Sequence, residues 1–297
     1  MQPSERRPTE GRAKGDGVEL AYLACGDEGP LALCLHGFPD SAWTWRHLLP
    51  LLADAGYRAV APFLRGYAPS GLDDAGRYQN GASVADTVAL HDQLGGGEPG
   101  VLIGHDWGAR IATGGAAFAP ERWRALVTAA VPPAGAVGQA FLTYEQLHKS
   151  WYMFFFQTPF ADLVVPMDDL AFIDHLWADW SPGYDPAEDL PAVKDALRDP
   201  AHLAAAIAYY RATLSGTGVV PEYQAQEDAI NLTPPQPHLY LHGRDDGCMG
   251  VEVAELSEPF LTVPGSRLEI IDGAGHFLQL EQPEKVNRLI LEFVGTA

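Results

Sequence analysis

Short, uninterrupted apolar runs, each about as long as one β-strand, punctuate this chain, with helix-forming stretches between them. Residues 31–35, Leu-Ala-Leu-Cys-Leu, are the plainest case, stopping at His36-Gly37. A run without polar alternation is what a strand buried on both faces requires, and such strands belong to parallel sheets whose crossovers are helices. Residues 58–61, 101–103, 125–131, 238–241 and 267–271 repeat the pattern, and residues 18–24 read as a further strand. The rhythm predicts an α/β fold, a mostly parallel sheet flanked by helices.

Between Pro132 and about Pro221 the rhythm stops, and the composition turns aromatic and helical, as in Trp151-Tyr152-Met153-Phe154-Phe155-Phe156. This predicts an inserted helical cap, which would roof the carboxyl ends of the strands where parallel α/β sheets place their sites. The expected division is a flexible tail over 1–15, core over 16–134, cap over 135–222 and core again over 223–297. Arg6 and Arg7 are followed by no apolar h-region, so the tail does not read as a secretion signal, and a cytoplasmic protein is expected.

Composition excludes some classes of partner. A formal charge of −20 repels nucleic acid and anionic lipid, and no apolar stretch reaches the roughly 18 residues of a membrane span. Cys25, Cys34 and Cys248 are too few and too scattered for a disulfide framework or a CxxC metal site, and read as packing residues.

The sharpest local signal is Gly104-His105-Asp106-Trp107-Gly108, set between the apolar run 101–103 and the helix-forming stretch 109–118. Strand, tight turn and helix in that order have the form of a nucleophile elbow, in which small residues permit a strained turn that lifts one side chain above the sheet. Here the lifted side chain is a carboxylate. It is ionised near neutral pH and can attack carbon without a base; capping of the helix that follows is the bland alternative.

Together with His36-Gly37-Phe38-Pro39, this motif resembles the α/β-hydrolase superfamily, and specifically its soluble epoxide hydrolase branch, over nearly all of the chain after about residue 15. The resemblance implies an α/β-hydrolase fold and an aspartyl-ester mechanism with Asp106 as nucleophile. His276, in Gly273-Ala274-Gly275-His276-Phe277, would be the base that activates water against the ester. His47, His91 and His202 read instead as surface-helix residues, and His36 and His105 as supports of the two motifs. The orienting acid is expected in His242-Gly243-Arg244-Asp245-Asp246-Gly247, where the family pattern favours Asp246 over Asp245. The alternative acid position finds no carboxylate in residues 132–138. Backbone N–H groups of Phe38 and Trp107 would form the oxyanion hole, with a cis Phe38-Pro39 bond, and Pro39, Trp151 and Met153 would contact substrate.

An aspartate elbow also occurs in haloalkane and fluoroacetate dehalogenases. An opening epoxide needs proton donors where a departing halide needs only N–H donors, so tyrosines discriminate. Tyr152 to Gln157 resembles the family's Y-x-x-[FY]-F-Q motif, and Tyr210-Arg211 its Tyr-Arg pair. Haloalkane dehalogenases commonly carry Asn where Phe38 stands, although Trp107 would suit a halide. Fluoroacetate dehalogenases share Arg110 but carry a further Arg where Trp107 stands, and without that guanidinium binding of a substrate carboxylate is not expected. Phe63 occupies a place where epoxide hydrolases usually carry Asp, which points to a divergent substrate. The expected partners are a small epoxide and water, with no cofactor and no metal; a homodimer is compatible with the sequence. A non-catalytic, ligand-binding relative is the competing class.

Overall fold

The computed structural model describes residues 6–296. Eight strands form one sheet: β1 (Thr9–Lys14), β2 (Glu19–Cys25), β3 (Leu31–Leu35), β4 (Arg58–Pro62), β5 (Gly100–His105), β6 (Trp123–Ala129), β7 (His238–Gly243) and β8 (Arg267–Ile271). Their order is β1-β2-β4-β3-β5-β6-β7-β8. Strands β4, β3 and β5 to β8 pair in parallel, and β1 and β2 pair antiparallel at one end. The continuous runs are central for the expected reason: every residue of β3, β5 and β7 is buried.

Strand β1 corrects the expected flexible tail over 1–15. Residues 9–14 pair in register with β2, and residues 1–5 of that expectation lie outside the described residues. Its sequence, Thr-Glu-Gly-Arg-Ala-Lys, buries only Ala13, so no apolar run announces it. A charged strand at a sheet edge leaves that edge unattractive to other chains.

Helices connect the strands: α1 (Leu49–Asp54), α2 (Asn80–Leu94) and α3 (Trp107–Phe118) before β6. Between β6 and β7 the chain is helical: α4 (Ala134–Ala140), α5 (Tyr144–Lys149), α6 (Trp151–Phe155), α7 (Phe160–Val164), α8 (Met167–Trp180), α9 (Leu190–Leu197), α10 (Pro200–Ser215) and α11 (Gln224–Ala229). Asp168, Asp169 and Leu170 hold positive φ, so the right-handed part of α8 starts only after them. The fold closes with α12 (Val251–Ala254), α13 (Leu278–Glu281) and α14 (Pro283–Thr296). Among the described residues no helix is long and apolar enough to cross a membrane.

Candidate active site

Four loops at the carboxyl ends of parallel strands converge. Asp106 follows β5, the His36 to Pro39 loop follows β3, Asp246 follows β7 and His276 follows β8. Asp106 sits at φ 54° and ψ −119°, a conformation that L residues rarely adopt and that the surrounding packing must enforce. That packing is tight because β5 and α3 cross almost in contact. A Cβ on Gly104 would lie 2.1 Å from the Gly108 carbonyl oxygen, and one on Gly108 would lie 2.3 Å from that of Leu35.

Around Asp106 the polar groups are ordered. The Phe38 N–H donates to its Oδ1 at 2.8 Å, while Oδ2 faces His276 Nε2 at 3.6 Å. His276 Nδ1 lies 3.0 Å from Asp246 Oδ2, and Asp246 Oδ1 accepts the N–H groups of Cys248 at 2.7 Å and Met249 at 2.9 Å. Asp245 is exposed and makes no such contact. Phe38-Pro39 is cis. The Trp107 N–H makes no hydrogen bond to the Asp106 carboxylate among the described residues.

Burial alone would raise the pKa of Asp106, but the facing imidazole of His276, with smaller help from His105 and the Phe38 N–H, holds it below the usual carboxylate value. Burial would likewise lower His276, yet Asp246 and Asp106 together push it up to about 10. The resting site therefore holds an imidazolium between two carboxylates. Burial raises both phenols, Tyr152 and Tyr210, well above the usual tyrosine value, with Asp106 adding to each, so both stay protonated.

The elbow opens on a cavity of about 230 Å³ lined by Asp106, Trp107, Arg110, Tyr152, Met153 and Tyr210 among others. Two of the expected substrate contacts are displaced from it. Trp151 is 45% exposed and packs on Phe155 and Phe172, because it precedes Tyr152 on α6 and so points about 100° away around the helix. Pro39 is buried outside the lining, where its carbonyl accepts Trp177 Nε1 at 2.8 Å. His91, expected on a surface helix, is buried on α2.

The tyrosines differ in partners. Tyr152 Oη lies 3.3 Å from Cys248 Sγ, whereas the Tyr210 hydroxyl is buried with no hydrogen-bond partner. Tyr210 packs edge-on to Trp107 and Phe38, with ring centroids 4.8 and 5.2 Å away. Cys248 belongs to the site, although its sequence reads as packing. Its one signal is its place two residues after Asp246, whose carboxylate caps that turn. Asp106, Cys248 and His276 offer donor atoms all within 4.8 Å of one another, a set that a thiophilic divalent ion could use only by occupying the elbow carboxylate and the facing imidazole together.

A carboxylate on a strained strand-to-helix turn, with an imidazole and a second carboxylate behind it, sits here on the sheet of an α/β-hydrolase fold. The chain belongs to the alpha/beta hydrolase fold family, whose model matches residues 30–283, and within it to the epoxide hydrolase-like branch. It is 33% identical over 296 residues to epoxide hydrolase 4 of Mus musculus, covering 95% of this chain and 78% of that one. It is 30% identical to epoxide hydrolase A of Mycobacterium tuberculosis, covering 97% of each. The crystal structure of epoxide hydrolase A from Mycobacterium thermoresistibile superposes with a TM-score of 0.80 at 27% identity, over 96% of this chain and 98% of that one.

Proposed function

We propose that this protein is an epoxide hydrolase that converts small epoxides to vicinal diols through an ester on Asp106, with residues 135–222 acting as its cap. The observation that carries the reading is the Tyr210 hydroxyl, buried without a partner on the cavity that Asp106 lines. A protonated phenol so placed is what an opening epoxide needs and a departing halide does not.

In the first step Asp106 Oδ2 attacks one epoxide carbon; the C–O bond breaks, and its electron pair leaves on oxygen, which takes the Tyr210 proton. Tyr152 is the second donor, once its hydroxyl turns from Cys248. Oδ1, already held by the Phe38 N–H, becomes the ester carbonyl oxygen. In the second step His276 first passes its resting proton, by way of the new hydroxyl, to the Tyr210 phenolate; it then takes a proton from water, the hydroxide attacks Asp106 Cγ, and the oxyanion collapses to expel the diol. Phe38 and Trp107 N–H groups stabilise that oxyanion, and His276 is left protonated, as it began. Asp246 holds the imidazole with Nε2 toward the ester.

Esterification also solves the basicity problem. Once Asp106 is an ester it no longer carries the charge that helps to raise His276, so the imidazole loses its proton more easily when a base is needed.

The test is His276→Gln incubated with styrene oxide. Intact-mass spectrometry should show a stable adduct equal to the epoxide's mass, mapped to Asp106, with no free diol. Diol formation at the wild-type rate, or no adduct with an epoxide that the wild type opens, overturns the scheme. Dehalogenation is the second reading, favoured by the buried, unpartnered Trp107 Nε1 on the same cavity; halide release from a bromoalkane would establish it.

A further inference from the structure

The turn after β7 carries Asp246, and the helical insertion reaches down to hold it. Gln146 on α5 is only 2% exposed, and both ends of its amide are engaged. Nε2 donates to the Cys248 carbonyl oxygen at 2.9 Å and to Ser150 Oγ at 2.8 Å, while Oε1 accepts the Gly250 N–H at 2.9 Å. Lys149, on the same helix, donates to the Asp246 carbonyl oxygen at 2.8 Å. A buried amide whose two protons both have acceptors specifies a single geometry, because any other leaves a polar group unpaired.

The two bonds from Gln146 to the turn bracket Met249. The N–H groups of Met249 and Cys248 hold Asp246 Oδ1, which leaves Oδ2 aimed at His276 Nδ1. A rotation of either peptide group would therefore swing the carboxylate off the imidazole. The core meets this segment with His242 Nε2, 3.1 Å from the Met249 carbonyl oxygen; the flanking Cys248 carbonyl and Gly250 N–H both go to Gln146.

We propose that Gln146 is a positioning residue for hydrolysis of the aspartyl ester: from the insertion, it fixes the turn that aims Asp246 at His276. This rests on the epoxide hydrolase reading and makes the second step of that reaction depend on the insertion. Ester formation needs the Asp106 carboxylate and a phenol, and Gln146 touches neither. Ester hydrolysis needs a correctly turned imidazole, so the two steps respond differently to loss of the clamp.

The experiment measures both steps in the wild type and in Gln146→Met, which keeps the length of the side chain and removes its hydrogen bonds. Rapid-quench intact-mass spectrometry with styrene oxide follows the rise and decay of the ester. Hydrolysis should slow by about tenfold or more while ester formation stays within about threefold, so the ratio of hydrolysis to formation falls and kcat and KM drop together. A ratio that is unchanged or higher overturns the proposal, because Gln146 would then only support the fold. Should Gln146→Met not fold, Gln146→Glu keeps the acceptor for Gly250, loses the donors to Cys248 and Ser150, and is judged by the same ratio.

A substrate-free signature separates the two readings. The His276 Nδ1 proton, donated to Asp246 Oδ2, gives a far-downfield proton resonance, assigned by its loss in Asp246→Ala. In Gln146→Met it should shift upfield or broaden into exchange with water, and an unmoved resonance overturns the clamp. A moved resonance in a protein whose wild type opens no epoxide keeps the hold of Gln146 on Asp246 and sinks the epoxide reading. A wild type that hydrolyses the epoxide, with a ratio that Gln146→Met does not lower, sinks the clamp alone.

Discussion

His276 lies between two carboxylates, and its proton is held by both. Its folded pKa is raised, so the stability that the protonated ring contributes is fully present below the unfolded value of about 6.5 and is lost as the pH climbs toward about 10. Asp106→Asn removes one of the two charges while keeping the side chain's shape. The midpoint of the His276 titration, followed by nitrogen-15 NMR of the imidazole, should then fall by about one pH unit or more, and the loss of stability should begin at correspondingly lower pH. An unmoved midpoint would show that Asp246 alone sets the base and that esterification does not activate it. Residue by residue, Asp106, His276, Asp246, Tyr152, Tyr210 and Met153 were legible because each stands in a motif whose spacing survives folding. Cys248 was not, since nothing in an isolated cysteine says that a turn capped by Asp246 will aim it at Tyr152. Trp151 was misread because neighbours in sequence point about 100° apart around a helix.

Strand β5, Asp106 and α3 act as one element. Its sequence shows a strand, two flanking glycines and a helix, and it folds as written because Gly104 and Gly108 let backbone meet backbone where side chains could not fit. Gly104→Ala forces a Cβ to within 2.1 Å of a carbonyl oxygen that cannot rotate away. Overpacking of this kind costs about 3 kcal/mol where the backbone itself must move. Urea denaturation should register that loss, and a change below about 1 kcal/mol would show that the elbow yields freely. The opposite case is β1, an element whose six residues carry no strand pattern of their own. It forms because β2 offers an unpaired edge, a fact about a partner strand rather than about residues 9–14.

At the scale of the whole molecule, Arg65 ties the N-terminal half together. Fully buried, it meets Asp86 of α2 through two bonds of 2.7 Å, Asp73 at 3.1 Å, and the carbonyls of Arg77 and Asp16. Arg65→Met would strand the buried Asp86 carboxylate, and breaking such a pair from one side costs about 3–5 kcal/mol. Denaturant midpoints at pH 7 should show that loss, and replacing Asp86 with Leu in the same chain should recover part of it. A cost under about 1 kcal/mol would mean that water or Asp86 protonation replaces the pair.

Helix α8 does the equivalent for the site. Its Trp180 carbonyl accepts the N–H groups of Gly247 and His276, both at 3.0 Å, Ser181 Oγ accepts that of Phe277 at 3.1 Å, and Trp177 donates to Pro39. One helix of the insertion thus fixes the loops after β3, β7 and β8. By itself the sequence determined the sheet's buried strands and the elbow, and it nominated the candidate reacting groups, because these depend on local periodicity and on short motifs. Only tertiary structure decided which tyrosine is free, that Arg110 faces the Asp106 cavity unpaired, and how the Asp246 and His276 loops are held. Those outcomes depend on contacts between residues far apart in the chain, and no spacing along it records them.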